Sequence, residues 1–285
     1  MEESPENKSL LNTANSSGFL LQVAISADVE AGSKKHGWKV EAEEYPYSTR
    51  GGQKGFADLI LSKGNMRVVI EAKRYRNDSG EVSWVFFAPD QKVQTSQTKI
   101  FWAAQYKADK SNYYRAGITN YSCAPQSFAS NYCALLGQDK SRPTLERISS
   151  EMTRAVDGLY IDEFKFNVTS PDGFKDQLRF YLPILVTTAK LYVCKFSPED
   201  ISLETGDLSQ PEFEKVPWIR FNKSLPSEHI EQAHSLRDFA ILNERTTFVV
   251  EATSLNDFLS KLNIDLSKMP APPWTSGKKK EIYFQ

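Results

Sequence analysis

The sequence predicts a mixed α/β (α+β) fold with a central mixed sheet flanked by helices. Three observations carry this. Segments of strand-like and helix-like apolar periodicity follow one another along the whole chain. No long flexible linker, internal repeat or low-complexity tract divides the 285 residues, so one compact unit is expected. The composition, 40% hydrophobic with 17 Phe, 12 Tyr and 5 Trp, supplies a sizeable core and excludes a disordered or fibrous chain.

Residues 1–16 are acidic and polar and read as a flexible leader. Ser17 and Gly18 precede an apolar stripe at Leu20, Val23, Ala24, Ala27 and Ala31, which predicts a helix ended by Gly37. Residues 38–47 alternate as a half-buried strand does, and a polar loop spans 48–55. Two strands are expected over 56–62 and 66–75, the second with an unbroken Val68-Val69-Ile70 run suited to burial on both faces. Residues 80–88 fit either a strand or a covering loop. A long helix is expected over 92–114 with Ile100, Phe101, Ala104 and Ala108 inward, then a short strand over 132–137 and a helix from Ser141 to about Tyr160. Strands are expected within 180–196, 216–221 and 247–252, helices over 228–238 and 254–262, and a terminal linker at Pro270–Pro273.

Three cysteines, odd in number and widely spaced, suggest neither a disulfide framework nor a zinc site, and three histidines disfavour a His-built metal centre. No stretch approaches 18 consecutive apolar residues, and the start does not read as a signal peptide; a soluble, cytoplasmic protein is expected. Net charge is −1, but its distribution is uneven. Residues 54–115 carry 11 basic against 6 acidic residues, whereas residues 1–45 carry 4 against 8. Such a local positive field attracts a phosphate polymer.

The most informative stretch is Phe56–Arg76, FADLILSKGNMRVVIEAKRYR. Gly64-Asn65 signals a two-residue hairpin turn. That register sets Lys63 against Met66 and Asp58 directly across from Glu71, with Glu71 and Lys73 on one face. Opposed carboxylates cost on the order of a few tenths of a kcal/mol, and more when half-buried. A hard dication resolves the conflict, because Mg²⁺ takes one or two carboxylates and completes its shell with water and phosphate oxygens. Lys73 then stands ready to orient a water or to stabilise charge on phosphorus.

A helix opening Gly-Phe, then Gly-Trp-Lys-Val, Ala-Asp and Ile-Glu-Ala-Lys-Arg on successive strands resembles the PD-(D/E)xK nuclease superfamily, and the later Leu-Pro-Ile-Leu-Val-Thr-Thr-Ala strand is similar to stand-alone bacterial members. The resemblance implies a restriction-endonuclease-like core of order α-β-β-β-α-β over residues 17–137, continued by an extension of the same unit over 138–268 and a tail over 269–285. It implies Mg²⁺ or Mn²⁺ held by Asp58, Glu71 and the Ala72 carbonyl, with Lys73 as the catalytic lysine. Position 57 is Ala where the motif has Pro. The acidic residue often supplied by the first helix falls on Gln22, with Glu30 the nearest acidic substitute. Lys54, Arg74, Arg76, Lys92 and Lys99 are the candidate nucleic-acid contacts, with Gln94, Gln97 and Gln105 on the expected helix after the lysine strand. Trp84, Phe86, Phe87, Trp102 and Tyr106 are weighed as base-stacking residues against a core role, which such apolar surroundings favour.

His229 and His234 are five apart, poor spacing for a shared metal, and no nucleotide-binding Gly-rich loop or nucleophile elbow is present. The expected function is a metal-dependent nuclease acting on DNA rather than RNA, with a homodimer open and no membrane partner. The alternative is a catalytically inactive module of the same fold that binds nucleic acid or a protein.

Overall fold

Two helices open the chain, α1 (Pro5–Ser16) and α2 (Phe19–His36). The computed structural model describes residues 5–49, 51–75, 82–89, 94–108, 111–135, 144–167, 177–225 and 235–268. Most of the expected leader is therefore helical. Ser17 Oγ accepts Phe19 N–H at 3.1 Å, and Gly37, at φ +76°, ends α2 by donating its N–H to the Ser33 carbonyl. That left-handed closure suits glycine because it has no Cβ.

The apolar stripe that predicts α2 is not its buried face. Leu20, Val23, Ala24, Ala27 and Ala31 are exposed, while Gln22, Ile25, Ser26 and Val29 are buried. Both sides of this helix carry apolar residues, so periodicity alone does not choose between them. The choice falls to the side whose polar groups find partners: Ser26 Oγ donates to Glu43, and Gln22 Nε2 to the Asp58 carbonyl.

An antiparallel meander follows: β1 (Lys39–Ser48), β2 (Lys54–Lys63) and β3 (Met66–Lys73). The segment left open between strand and loop is strand β4 (Ser83–Pro89). The helix expected over 92–114 is instead a long hairpin, β5 (Thr95–Ala108) and β6 (Ser111–Ser127), paired from Thr95↔Ser127 to Ala108↔Ser111. Thr98, Ile100, Phe101, Trp102, Ile118, Thr119 and Tyr121 are the β-branched and aromatic residues that fit a pleated surface. Apolar positions on both faces of a covered strand mimic helical spacing.

The chain continues through β7 (Ala129–Ser130), β8 (Cys133–Leu135), α3 (Thr144–Asn167), β9 (Gln177–Thr187), β10 (Lys190–Phe196), β11 (Glu212–Val216), β12 (Trp218–Ser224), α4 (Leu236–Leu242), β13 (Glu244–Glu251), α5 (Leu255–Lys261) and β14 (Asn263–Ile264). Most of the helix expected over 228–238, and the linker at 270–273, lie outside the described residues.

The fold is mixed α/β. A ten-stranded mixed sheet follows the path β1-β2-β3-β9-β13-β12-β7, with β9 parallel to both β3 and β13. The second edge of β9 also holds β5, which carries β6 and β14. A four-stranded sheet, β11-β10-β4-β8, forms separately. Helices α2 and α5 pack on one face of the large sheet through Ile25, Val29, Phe258 and Leu259 against Leu59, Val68, Ile70 and Ile184. The other face is covered by α3, through Val156 and Leu159 over Ile60 and Val69, and by the small sheet, through Trp84 and Phe86 near Leu185 and Val249. Trp84 and Phe86 are thus core, as their surroundings favour. No helix among the described residues is long and apolar enough to cross a membrane.

Candidate functional site

The site grows out of the β2–β3 hairpin. Gly64, at φ +57°, turns the chain, and the ladder then runs as expected from Lys63↔Met66 to Leu59↔Ile70. It ends one step before Asp58 and Glu71. Asp58 Oδ2 instead accepts the Ala72 N–H at 2.6 Å, and Gln22 Nε2 donates to the Asp58 carbonyl at 2.9 Å. A side chain and a helix amide thus take up backbone groups at the end of the ladder.

Beyond this point the strands part. Strand β2 stays with β1, through Tyr45↔Ala57 to Ser48↔Lys54, while β3 follows β9 through Glu71↔Leu185 and Lys73↔Thr187. The pleat changes here as well. Glu43 and Leu59 face α2, bonded to Ser26 or packed in its core, whereas Tyr45 and Ala57 face α3. Glu44, between them in β1, has φ +47°, a left-handed conformation that costs a non-glycine residue about 1–2 kcal/mol. Asp58 therefore sits at a break in the sheet rather than on a regular row.

The electrostatics tie the three predicted residues together. Burial pushes the Asp58 carboxyl above its ordinary range; the Ala72 N–H and the Lys73 charge oppose this, and Glu44 adds to it. Burial likewise raises Glu71, reinforced by the charge of Asp58 and opposed by Lys73, with which Glu71 forms an ion pair. Burial pulls the Lys73 ammonium down, but Glu71 and Asp58 more than offset it and leave it raised. Lys73 is therefore a cation across the physiological range.

Glu71 also lines an open cleft of ≈520 Å³ in the fork between the strands, roofed by α3. Glu151 and Arg154 of α3, Tyr47 of β1, and Lys54 and Phe56 of β2 share it. Tyr47 is wedged between two glycines: a Cβ on Gly158 would lie 2.8 Å from Tyr47 Cβ, and one on Gly55 2.5 Å from its hydroxyl. Glu151 adds a negative charge felt by both Glu71 and Lys73, and is itself held by Arg147 at 2.8 Å. Sequence reading missed Glu151, Arg154 and Tyr47. The only signal for the first two was their position beside the apolar stripe Ile148, Met152, Ala155 and Leu159, which does not say which strand the helix covers.

The other predicted residues scatter. The Glu30 carboxylate accepts the Val40 N–H at 3.0 Å at the far end of β1 and is not drawn to Asp58. The Arg74 guanidinium donates to the Asn15 carbonyl at the end of α1. Lys99 lies on strand β5, where its N–H donates to Thr246 Oγ1 at 3.0 Å, so it shares no helix face with Lys92. Gln94 and Gln97 are likewise not on a helix. Phe87 makes an edge contact with Phe196, and Trp102 Nε1 donates to Thr119. Arg76, Lys92, His229 and His234 lie outside the described residues, as do the side chains of Gln105 and Tyr106. Part of the positive excess seen in the sequence is consumed internally: Arg67 pairs with Glu163 at 2.7 Å, and Lys63 lies over the Trp38 ring. Lys54 remains exposed.

Among the described residues no group of three or more His, Cys, Asp or Glu is arranged to hold a metal ion. No protein-family model matches the chain, and no curated protein or solved structure matches it.

Proposed function

We propose that this chain is a divalent-metal-dependent phosphodiesterase that hydrolyses nucleic acid, with DNA as the substrate. One observation carries the reading: Asp58, Glu71 and Lys73 converge where β2 and β3 part, Asp58 bonded to the Ala72 N–H and Glu71 paired with Lys73, so that two half-buried carboxylates with raised pKa values stand beside one cation. The element order supports it. Helix α2, the meander β1–β3, helix α3 and the parallel strand β9 follow the order of a restriction-endonuclease-like core, with β4–β8 inserted before the second helix.

Asp58, Glu71 and the Ala72 carbonyl are a sparse donor set of the kind Mg²⁺ takes, its remaining positions going to water and phosphate oxygens. When bound, Mg²⁺ or Mn²⁺ supplies Lewis acidity toward a water and the scissile phosphate. The chain's own residues do the rest. The Ala72 N–H fixes the Asp58 carboxylate by holding one of its oxygens. Lys73, kept protonated by its neighbours, stabilises developing charge on phosphorus rather than serving as a base.

The test is incubation of plasmid and single-stranded DNA with Mg²⁺ or Mn²⁺. Cleavage is expected from the native chain and lost in Asp58→Asn, Glu71→Gln and Lys73→Ala. Undiminished cleavage in all three would assign it to another site. A second reading, a module that binds nucleic acid or a protein without hydrolysis, is favoured by Gln22, whose amide nitrogen is committed to the Asp58 carbonyl. That reading requires DNA binding with no dependence on a dication.

A further inference from the structure

From the cleft beside Glu71 we infer that the substrate enters as an unpaired strand, its phosphates held by Arg154 and Lys54 and a base stacked on Phe56; this rests on the phosphodiesterase reading. The first argument is size. Glu71 is reached through a space of ≈520 Å³ under α3, the scale of a small-molecule ligand site. A nucleotide fits beneath α3 in this space, whereas a double helix can lie only across its open mouth. A strand that enters the cleft to meet Glu71 must therefore be single, frayed or splayed there.

The second argument is the lining. Glu71 and Glu151 make this part of the cleft acidic, so a phosphate chain needs compensating cations. Arg154, one turn of α3 from Glu151, and Lys54, at the start of β2, provide them on opposite walls. Arg154 lies close enough to Tyr47 for its charge to act on the phenol, whose hydroxyl donates to the Glu151 carbonyl at 3.5 Å, and Tyr47 is fixed by the two glycines against it. A planar guanidinium at this wall of the cleft suits a phosphate's paired oxygens.

The third argument is Phe56. It lines the cleft yet is 65% exposed, two residues from Lys54 on the same strand. An exposed aromatic beside a cation is the arrangement by which single strands are held without sequence readout, each stacked base contributing through its π-face. The core offers Phe56 no role, whereas Trp84 and Phe86 are wholly buried.

The experiment measures anisotropy of a fluorescein-labelled 15-nucleotide oligo(dT) and of a hairpin duplex, in EDTA so that no cleavage intervenes, across a salt series. The single strand is expected to bind more tightly than the duplex. Phe56→Ala should weaken it about 5- to 150-fold (~1–3 kcal/mol per stacked base) without changing the salt slope. Arg154→Gln and Lys54→Gln should each lower the slope of log K against log salt by about 0.7, and Arg154→Lys should restore it. A folding defect would weaken binding in Arg154→Gln but would not be mended by the lysine variant. Duplex binding as tight as the single strand, or a slope untouched by both cation variants, overturns the inference. The two proposals fail separately. Cleavage that persists on duplex DNA regardless of these variants leaves the hydrolase standing without this substrate; the expected binding pattern without any cleavage leaves the cleft standing without the hydrolase.

Discussion

Replacing Asp58 separates its two roles, because one substitution keeps its hydrogen bond and another removes it. Asp58→Asn and Asp58→Ala both delete the charge. Only asparagine retains an oxygen that can accept the Ala72 N–H, bonded at 2.6 Å in the native chain. Ala72 is buried, so in Asp58→Ala its N–H is stranded at a cost of about 1–3 kcal/mol. For 285 residues the unfolding entropy is about 0.6 kcal/mol/K, so the alanine variant should melt about 2–5 °C below the asparagine variant. Scanning calorimetry in EDTA measures the gap. Both variants should be inactive in cleavage. Equal melting temperatures would refute the claim that this carboxylate ties β2 to β3 where the ladder ends, and with it the account of how the site is shaped.

The raised Asp58 and Glu71 groups set a pH dependence. A carboxyl raised in the folded state contributes stability that is full below its unfolded value, near 4, and lost as pH rises through the folded value. Glu71→Gln should therefore match the native chain near pH 4 and pull ahead of it in melting temperature toward neutrality, and adding Mg²⁺ should close that gap by stabilising only the native chain. Thermal scans from pH 4 to 8 decide this, and parallel curves would contradict it. In α3, Gly158→Ala should destabilise by about 1–3 kcal/mol although alanine is the better helix former, because the new methyl lies 2.8 Å from Tyr47 Cβ. Urea unfolding checks the sign, and a gain in stability would show that Tyr47 is free to move.

The hairpin was the legible part of the molecule, for a local reason. Gly64-Asn65 fixes a tight turn, the turn fixes the register, and the register brings Asp58 toward Glu71. The break at Glu44 and Asp58 was not legible, because a glutamate in the left-handed region gives no sign in a sequence. The α2 boundaries were readable from Ser17 and Gly37, but its buried face was not: the choice depended on Glu43 and the Asp58 carbonyl, distant partners that take up Ser26 and Gln22. The β5–β6 hairpin was misread as a helix because a strand covered on both faces loses its period of two. Glu151 and Arg154 could not be assigned because they join the site only through the packing of α3 over β3, more than 70 residues away in sequence.

The most direct test of the central claim is a titration of Mn²⁺ into the protein near neutral pH, following the free-ion electron paramagnetic resonance signal. The account predicts a bound ion that is lost in both Asp58→Asn and Glu71→Gln. Binding that is absent from the native chain, or that survives unchanged in both variants, would contradict it.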